Sequence, residues 1–240
     1  MYSAAYSKIF STVYEELTAS VDYEKWVDEF LDLATGAGFK GTRALDLACG
    51  AGRASLPMAA RGLVVTGLDI SGNVLELGRQ KASGQGLQIR FVQGDMENFF
   101  LKEQFPLITC FNGGVNYLES AEQIGNLARC VKNTLEPGGV FVFDIMGKGY
   151  ITAPEKSASF LEIPRGYVGT FLSRQGEKLE MAHKIFLAGD GVYKLFDDTE
   201  QVTLHSPWLI EDIFALNGLR IVRNVDRSVQ RNDLVAVCDA

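Results

Sequence analysis

The sequence predicts a doubly wound α/β fold: a parallel sheet covered by helices, with an antiparallel β-sheet inserted late in the chain. Three observations predict it. The first is Ala44-Leu45-Asp46-Leu47-Ala48-Cys49-Gly50-Ala51-Gly52-Arg53, where an apolar run stops at small residues and a helical pattern begins at once. That order is strand, tight turn, helix. The turn lacks bulk, so a ligand can lie against bare backbone with the first helical amides pointing at it. The second is repetition: apolar strand-like runs alternate with helical patterns as far as Ile145, as in a parallel sheet with ligands at its carboxyl edge. The third is the end of that rhythm near residue 147, where short alternating runs take over.

Residues 3–36 read as two helices. Tyr6, Ile9, Phe10, Val13, Tyr14 and Leu17 recur at helical spacing, and so do Trp26, Val27, Phe30, Leu31 and Ala34 beyond Ser20-Val21-Asp22. Gly36 and Gly38 close the second helix, and Lys40-Gly41-Thr42 leads into strand one. Past Gly52 a helix runs through Leu56, Met58 and Ala59 to Gly62, with Pro57 acceptable in its first turn. Strand two is Val64 to Asp69, and Ser71 is placed to cap the helix carrying Val74, Leu75 and Leu77. Strand three, Leu87 to Val92, ends at Gly94-Asp95-Met96; strand four, Leu107 to Phe111, ends at Asn112-Gly113-Gly114.

Ser120-x-x-Gln123 is a capping-box pattern for the helix through Ile124, Leu127, Ala128 and Val131. Pro137-Gly138-Gly139 turns the chain into strand five, Val140 to Ile145. In the insertion, 168–172, 179–187, 192–196 and 201–205 alternate, with Gly189-Asp190-Gly191 as a hairpin turn. Ser206-Pro207 opens a last helix that stops at Asn217-Gly218, and strands 219–225 and 234–238 form an antiparallel hairpin. The expected division is 1–146 with 206–240 as the main domain, its residues 1–36 forming capping helices, and 147–205 as an inserted β lid over the acceptor.

The 240 residues, 47% hydrophobic and 22% charged, suffice for one α/β domain with an insertion and a full core. A net charge of −7 repels a phosphate backbone, so nucleic acid is not the expected partner. Cys49, Cys110, Cys130 and Cys238 each lie in an apolar stretch without a CxxC pair, as buried thiols do in a reducing compartment. Two histidines, His183 and His205, do not make a zinc site. No apolar run reaches the ~18 residues of a membrane span, and no signal-peptide pattern opens the chain. The expectation is a cytoplasmic monomer or homodimer that contacts neither membrane nor nucleic acid.

Asp46, Asp69, Asp95 and Asn112 fall at or just past the carboxyl ends of successive strands. A row of such groups on one edge is a site. Asp46 is placed to hold loop amides or meet a cationic ligand group. Asp69, nineteen residues past Gly50, is placed to accept hydrogen bonds from ribose hydroxyls. The pair points to an adenosine-containing cofactor. Gly50-x-Gly52-x-x-Ser55 partly fits a dinucleotide fingerprint, which makes an NAD-type oxidoreductase the rival reading. Against it, Asp46 stands four residues before Gly50, where a carboxylate repels a pyrophosphate. Ser55 also replaces the usual Gly or Ala, and Asp95-Met96 offer a carboxylate and a soft apolar side chain to an adenine. A cationic sulfonium nucleoside suits these residues better, since carboxylates attract it and nearby aromatics add cation–π contacts.

These motifs resemble those of the class I S-adenosylmethionine-dependent methyltransferases. Leu45-Asp46-Leu47-Ala48-Cys49-Gly50-Ala51-Gly52 is similar to that family's glycine-rich motif, with Ala48 in place of the common first glycine. Gly67-Leu68-Asp69-Ile70-Ser71 resembles its ribose strand, Gln93-Gly94-Asp95-Met96 its adenine turn, and Leu135-Glu136-Pro137-Gly138-Gly139 the turn before strand five. Val13-Tyr14-Glu15-Glu16-Leu17 with Tyr23-x-x-Trp26 resembles small-molecule members of the amino-sugar N,N-dimethyltransferase and glycine/sarcosine type. The resemblance covers about residues 40–240. It implies a seven-stranded Rossmann-like sheet of order 3-2-1-4-5-7-6 and S-adenosylmethionine as cofactor, with S-adenosylhomocysteine as product. It places Ala48 and Gly50 against the methionine part, Asp69 on the ribose and Ile70 beside the adenine. Asp95 and Met96 fall on the adenine's edge and face, Phe111 and Asn112 on the floor, and Tyr14 and Trp26 over the methionine end.

Methyl transfer is a one-step displacement in which the cofactor carries the reactivity, so the enzyme mainly positions and excludes water. A base is needed only where the nucleophile arrives protonated. Candidates near the carboxyl edge are Asn116, Tyr117, Asp144 and His183, with Tyr117 and His183 expected to orient a small amine or hydroxyl acceptor. His205, beside a helix cap, reads as structural. A cofactor-binding protein without catalysis is a further alternative.

Overall fold

The computed structural model describes residues 8–238, with side chains from Thr12 onward. Tyr6 lies outside the described residues, as do the side chains of Ile9 and Phe10. Contacts divide the chain into two compact units. One holds Tyr23–Tyr150 and the chain from His205; the other holds Ile151–Leu204 and the described residues up to Asp22.

Helix α1 (Lys8–Leu17) belongs to the smaller unit and α2 (Tyr23–Gly36) opens the larger one. The larger unit continues with β1 (Arg43–Leu47), α3 (Ser55–Ala60), β2 (Val64–Asp69), α4 (Gly72–Gly84), β3 (Ile89–Gln93) and β4 (Phe105–Cys110). A 3₁₀ turn (Gly114–Tyr117) leads to α5 (Ala121–Thr134), β5 (Leu135–Met146) and the short α6 (Lys148–Thr152). After the smaller unit's strands β6 (Lys156–Ile163), β7 (Gly166–Gln175), β8 (Lys178–Gly189) and β9 (Val192–Thr203), the larger unit resumes with α7 (Pro207–Leu216), β10 (Leu219–Ser228) and β11 (Arg231–Cys238).

The larger sheet runs β3-β2-β1-β4-β5-β11-β10. Counting only its own strands, that is 3-2-1-4-5-7-6, the expected order. The strands from β3 to β5 pair in parallel, while β11 lies antiparallel to both β5 and β10. Helix α5 shows how the sequence builds this unit. Ser120 Oγ accepts from Gln123 N at 3.3 Å, and Gln123 Oε1 accepts from Glu119 N at 2.7 Å. The capping box therefore closes one residue earlier than its pattern suggests. Ile124, Leu127, Ala128 and Val131 form one fully buried stripe, in a core with Phe141 and Phe143 of β5 and Phe214 of α7. Phe141 and Phe143 stack at 4.6 Å, and Phe143 meets Phe214 at 5.4 Å. Removing such a phenylalanine costs about 3–5 kcal/mol. Strand β5 begins at Leu135 and not at Val140, because an irregularity opposite Phe105–Leu107 absorbs the Pro137-Gly138-Gly139 turn.

The smaller sheet is an antiparallel meander, β6-β7-β8-β9. Its β8–β9 turn is Asp190-Gly191 with φ of 50° and 77°, the two left-handed positions that a two-residue hairpin turn needs. Two differences from the sequence reading appear here. Strand β6 was not anticipated: seven of its eight residues are exposed, so no alternation marks it. The expected runs 192–196 and 201–205 are one strand, β9, hidden by the polar stretch Asp197-Asp198-Thr199-Glu200 between them. A third difference concerns α1, expected in the main domain. Its apolar stripe is buried on the inserted strands: Val13 clusters with Ile163, Val168 and Ile185, with Tyr14 and Leu17 packed alongside. Arg165 Nη2 donates to the Thr12 carbonyl at 2.8 Å and its Nε to Glu16 at 2.7 Å. Among the described residues no helix is long and apolar enough to cross a membrane.

Candidate active site

Register fixes a row of residues along one edge of the larger sheet. Leu47 pairs with Leu68 and with Cys110, Leu68 with Val92, and Cys110 with Phe143. One residue further stand Ala48, Asp69, Gln93, Phe111 and Asp144, all at carboxyl ends. The strand order reverses between β1 and β4, where an open α/β sheet leaves its crevice. Two non-glycine residues there adopt left-handed backbone, Ala48 (φ 51°) and Asn112 (φ 62°), beside Gly50 (55°) and Gly113 (66°). Each such alanine or asparagine costs on the order of 1–3 kcal/mol and persists only where the surroundings over-determine it. Gly114 shows how they do so: a Cβ there would lie 2.5 Å from Cys110 Sγ and 3.1 Å from Ala48 Cβ. The loop after β4 therefore presses directly on the turn after β1.

Asp69 braces that turn. Its Oδ2 accepts from Gly50 N at 2.8 Å and its Oδ1 from Ser71 N at 2.9 Å. Each carboxylate oxygen keeps a second lone pair, enough for two ribose hydroxyls. Burial raises the Asp69 pKa, and the two amides oppose that rise. Ile70 is 49% exposed beside it, and its carbonyl accepts from Gln93 Nε2 at 3.0 Å. Asp95 is half-buried, its Oδ1 accepting from Glu97 N at 3.1 Å. Met96 packs half-buried against the core. These residues set a bare turn, a carboxylate and an apolar step along the carboxyl ends of β1, β2 and β3.

Asp46 corrects the sequence reading. It is fully buried and accepts from Ser55 Oγ at 2.6 Å and Thr109 Oγ1 at 2.9 Å. It thus ties β1 to α3 and β4, and these hydroxyls, not the loop amides, take its two oxygens. Burial pushes its carboxyl up to about 7, against the pull of the two hydroxyls.

Phe111 is buried against α2, stacked on Phe30 at 4.2 Å and edge-on to Trp26 at 5.8 Å. Three arginines from separate elements hold that helix in place. The Arg53 guanidinium lies 4.4 Å over Tyr23, and Arg231 lies 4.5 Å over Trp26 and pairs with Glu29. Arg61 reaches Glu24 and Asp28 at 2.6 Å each. The sequence reading named none of these arginines as partners of α2; the only local signal was Arg53, directly behind Gly52.

The acceptor candidates separate in the structure. Tyr117 is half-buried at the end of the 3₁₀ turn. Asn116 is fully buried, and its Oδ1 accepts from Met146 N at 2.9 Å, which fastens the β4 loop to β5. Asp144 Oδ2 accepts from Gly113 N at 2.8 Å; burial and neighbouring Asp233 push its carboxyl up to about 7. Tyr14 and His183 belong to the smaller unit. His183 is buried with Nδ1 3.0 Å from Thr170 Oγ1 and Nε2 3.1 Å from Glu200 Oε2, so both ring nitrogens already serve the inserted sheet. His205 Nε2 donates to the Leu118 carbonyl at 2.8 Å. Among the described residues no cluster of His, Cys, Asp and Glu could hold a metal ion.

Comparison with known proteins places this geometry. The family model described as a methyltransferase domain matches residues 44–139, which run from β1 into β5. The Bacillus subtilis (strain 168) protein YqeM is 29% identical over 196 residues, 80% of this chain and 77% of the relative. A Streptomyces venezuelae enzyme, dTDP-3-amino-3,4,6-trideoxy-alpha-D-glucopyranose N,N-dimethyltransferase, is 25% identical over 229 residues, 92% of each chain. Among solved structures, an S-adenosylmethionine-dependent methyltransferase from Clostridium acetobutylicum ATCC 824 superposes with a TM-score of 0.86 at 23% identity, covering 97% of this chain and 99% of that one.

Proposed function

We propose that this chain is a class I S-adenosylmethionine-dependent methyltransferase that methylates an amino or hydroxyl group of a small-molecule acceptor. The match of residues 44–139 to a methyltransferase-domain model supports this reading over the dinucleotide alternative. The observation that carries the reading is the strained switch point, where Ala48 and Asn112 are held in left-handed backbone while Asp69 braces Gly50. When bound, S-adenosylmethionine supplies an electrophilic methyl group on a sulfonium. The chain's own part is then positioning. Asp69 takes the ribose, Ile70, Asp95 and Met96 the adenine, and the Ala48–Gly50 backbone with Asn112 the methionine part. Phe111 and Trp26 wall the edge with apolar surface that excludes water.

A small acceptor is supported by the net charge of −7 and by likeness to the N,N-dimethyltransferase over 92% of the chain. Tyr117, on the turn beside the switch point, orients the acceptor. Calorimetry tests the cofactor reading: S-adenosylhomocysteine should bind and NADH should not. Incubating the protein with S-adenosylmethionine and a panel of amino sugars, amino acids and catechols, read as S-adenosylhomocysteine release, tests catalysis. Tyr117→Phe should lower kcat at least ~10-fold with unchanged S-adenosylhomocysteine affinity. Binding without release across the panel would favour a protein that holds the cofactor without catalysis.

A further inference from the structure

At the end of α5 a lysine amine meets a cysteine sulfur. Lys132 Nζ donates to Cys238 Sγ at 2.7 Å, across 106 residues of chain. That separation is typical of N–H···O bonds, although sulfur is the larger atom, so the two groups are in direct contact. Lys132 stands in the last turn of α5, where a cation suits the helix dipole and commonly turns to the last carbonyls. Here its stem runs instead beside Gly218, at the turn from α7 into β10. A Cβ on that glycine would lie 3.5 Å from Lys132 Cε. Leu219, the next residue, pairs with Cys238 across β10 and β11. Three elements therefore set the meeting, and among the described residues Cys238 is the one polar partner of Lys132.

Burial decides what such a pair can do. Cys238 is 5% exposed and borders the core of the larger unit. A tripeptide thiol cannot reach a sulfur so covered, whereas hydrogen peroxide is little larger than water. A sulfenic acid formed there has the Lys132 nitrogen already in contact, and preset contact is what speeds an intramolecular step. Sulfenic acids condense with nitrogen in this way. Among the described residues no other cysteine bonds to an amine. Burial also pushes the thiols of Cys49 and Cys110 well up, which suppresses the thiolate that peroxide attacks.

We propose that Lys132 and Cys238 form an oxidant-sensing modification site, where peroxide joins them by a covalent N–S bond that braces the larger unit. Peroxide takes two electrons from the Cys238 sulfur, its O–O bond breaks, and a sulfenic acid and one water remain. Lys132, once its ammonium proton has passed to solvent, attacks that sulfur. The S–O bond breaks, the N–S bond forms, and the oxygen leaves as a second water. One thiol, one amine and one hydrogen peroxide thus give one sulfenamide and two waters. A dithiol reductant returns the thiol and the amine. The link ties the last turn of α5 to β11 and closes a 106-residue span, restricting the unfolded chain as a disulfide does. The site does not depend on the methyltransferase reading.

The test treats the full chain with hydrogen peroxide and digests it with trypsin, without reductant, for mass spectrometry. Trypsin does not cleave after a lysine whose nitrogen is bonded to sulfur. The expected product is therefore peptide 130–148 joined to peptide 232–240, lighter than their sum by two hydrogen atoms. Dithiothreitol should separate the two peptides. The linked chain should melt about 5 °C or more above the reduced one. Lys132→Arg keeps the cation but offers no primary amine, and Lys132→Gln removes both. Each variant should melt cooperatively before treatment and form no link after it. Peptide 130–132 joined to 232–240 would be a Cys130–Cys238 disulfide and would overturn the proposal. So would a linked pair that kept a peroxide oxygen, a Cys238 oxidised to sulfinic acid without a link, or a Cys238 left unmodified. A link formed by the folded Lys132→Arg chain, or a linked chain that melts no higher than the reduced one, would overturn it as well.

Discussion

Gly114 and Asp69 both act on the turn after β1, one by absence of bulk and the other by charge. Gly114→Ala would drive a methyl group into Cys110 Sγ and Ala48 Cβ, and overpacking of this kind typically costs about 1–3 kcal/mol. The variant should lower the melting temperature and weaken S-adenosylhomocysteine together. Adding Cys110→Ala, which removes the nearer clash, should recover part of both losses; no recovery would show that the contact is not what holds Ala48. Asp69→Ala removes the acceptor of Gly50 N and Ser71 N along with the proposed ribose ligand. Charge-assisted bonds contribute roughly 2 kcal/mol or more, so calorimetry should find Kd raised at least ~30-fold. An unchanged Kd would remove Asp69 from the cofactor site. The place of Asp69 at the carboxyl edge was legible in the sequence because it follows from spacing along two adjacent parallel strands. The burial of Asp46 was not, because its partners Ser55 and Thr109 stand 9 and 63 residues away and meet it only once the sheet forms.

Elements were legible where burial is one-sided or complete. The strands β1, β2, β4 and β5 read as apolar runs because both faces of a central parallel strand are covered, and α5 read from its single buried stripe. Strand β6 and the middle of β9 lie with mostly exposed side chains, so no hydrophobic period marks them. The α2 clamp was equally hidden: Arg61 and Arg231 reach it across 37 and 202 residues. Long-range ion pairs leave no periodic trace. Within the inserted sheet the central polar tie is Thr170–His183–Glu200, one residue from each of β7, β8 and β9. His183→Ala removes a buried partner from both neighbours, a loss of about 1–3 kcal/mol. Hydrogen exchange should therefore accelerate in β7 to β9 and stay at wild-type rates in β1 to β5. Acceleration confined to the larger sheet would contradict this assignment.

At the scale of the larger unit, its buried carboxylates set how stability depends on pH. Asp46 and Asp144 are both pushed up to about 7, and Asp69 and Asp233 are raised as well, burial being the first cause for each. In the unfolded chain these groups titrate near 3.9. Between those values the folded state holds more protons than the unfolded one, so stability falls as pH rises. The contribution is whole below about pH 4 and is lost as pH climbs through about 7. The net charge of −7 adds self-repulsion in the same direction. Both tryptophans, Trp26 and Trp208, lie in this unit, so tryptophan fluorescence follows its unfolding apart from the inserted sheet. The melting temperature read this way should drop between pH 5.5 and pH 8, by about 2–4 °C for each kcal/mol lost. Asp46→Asn, which cannot ionise, should flatten the slope while keeping its bulk between Ser55 and Thr109. A melting temperature that rose over the same interval would mean that these carboxylates are ionised in the folded protein, each with a compensating partner.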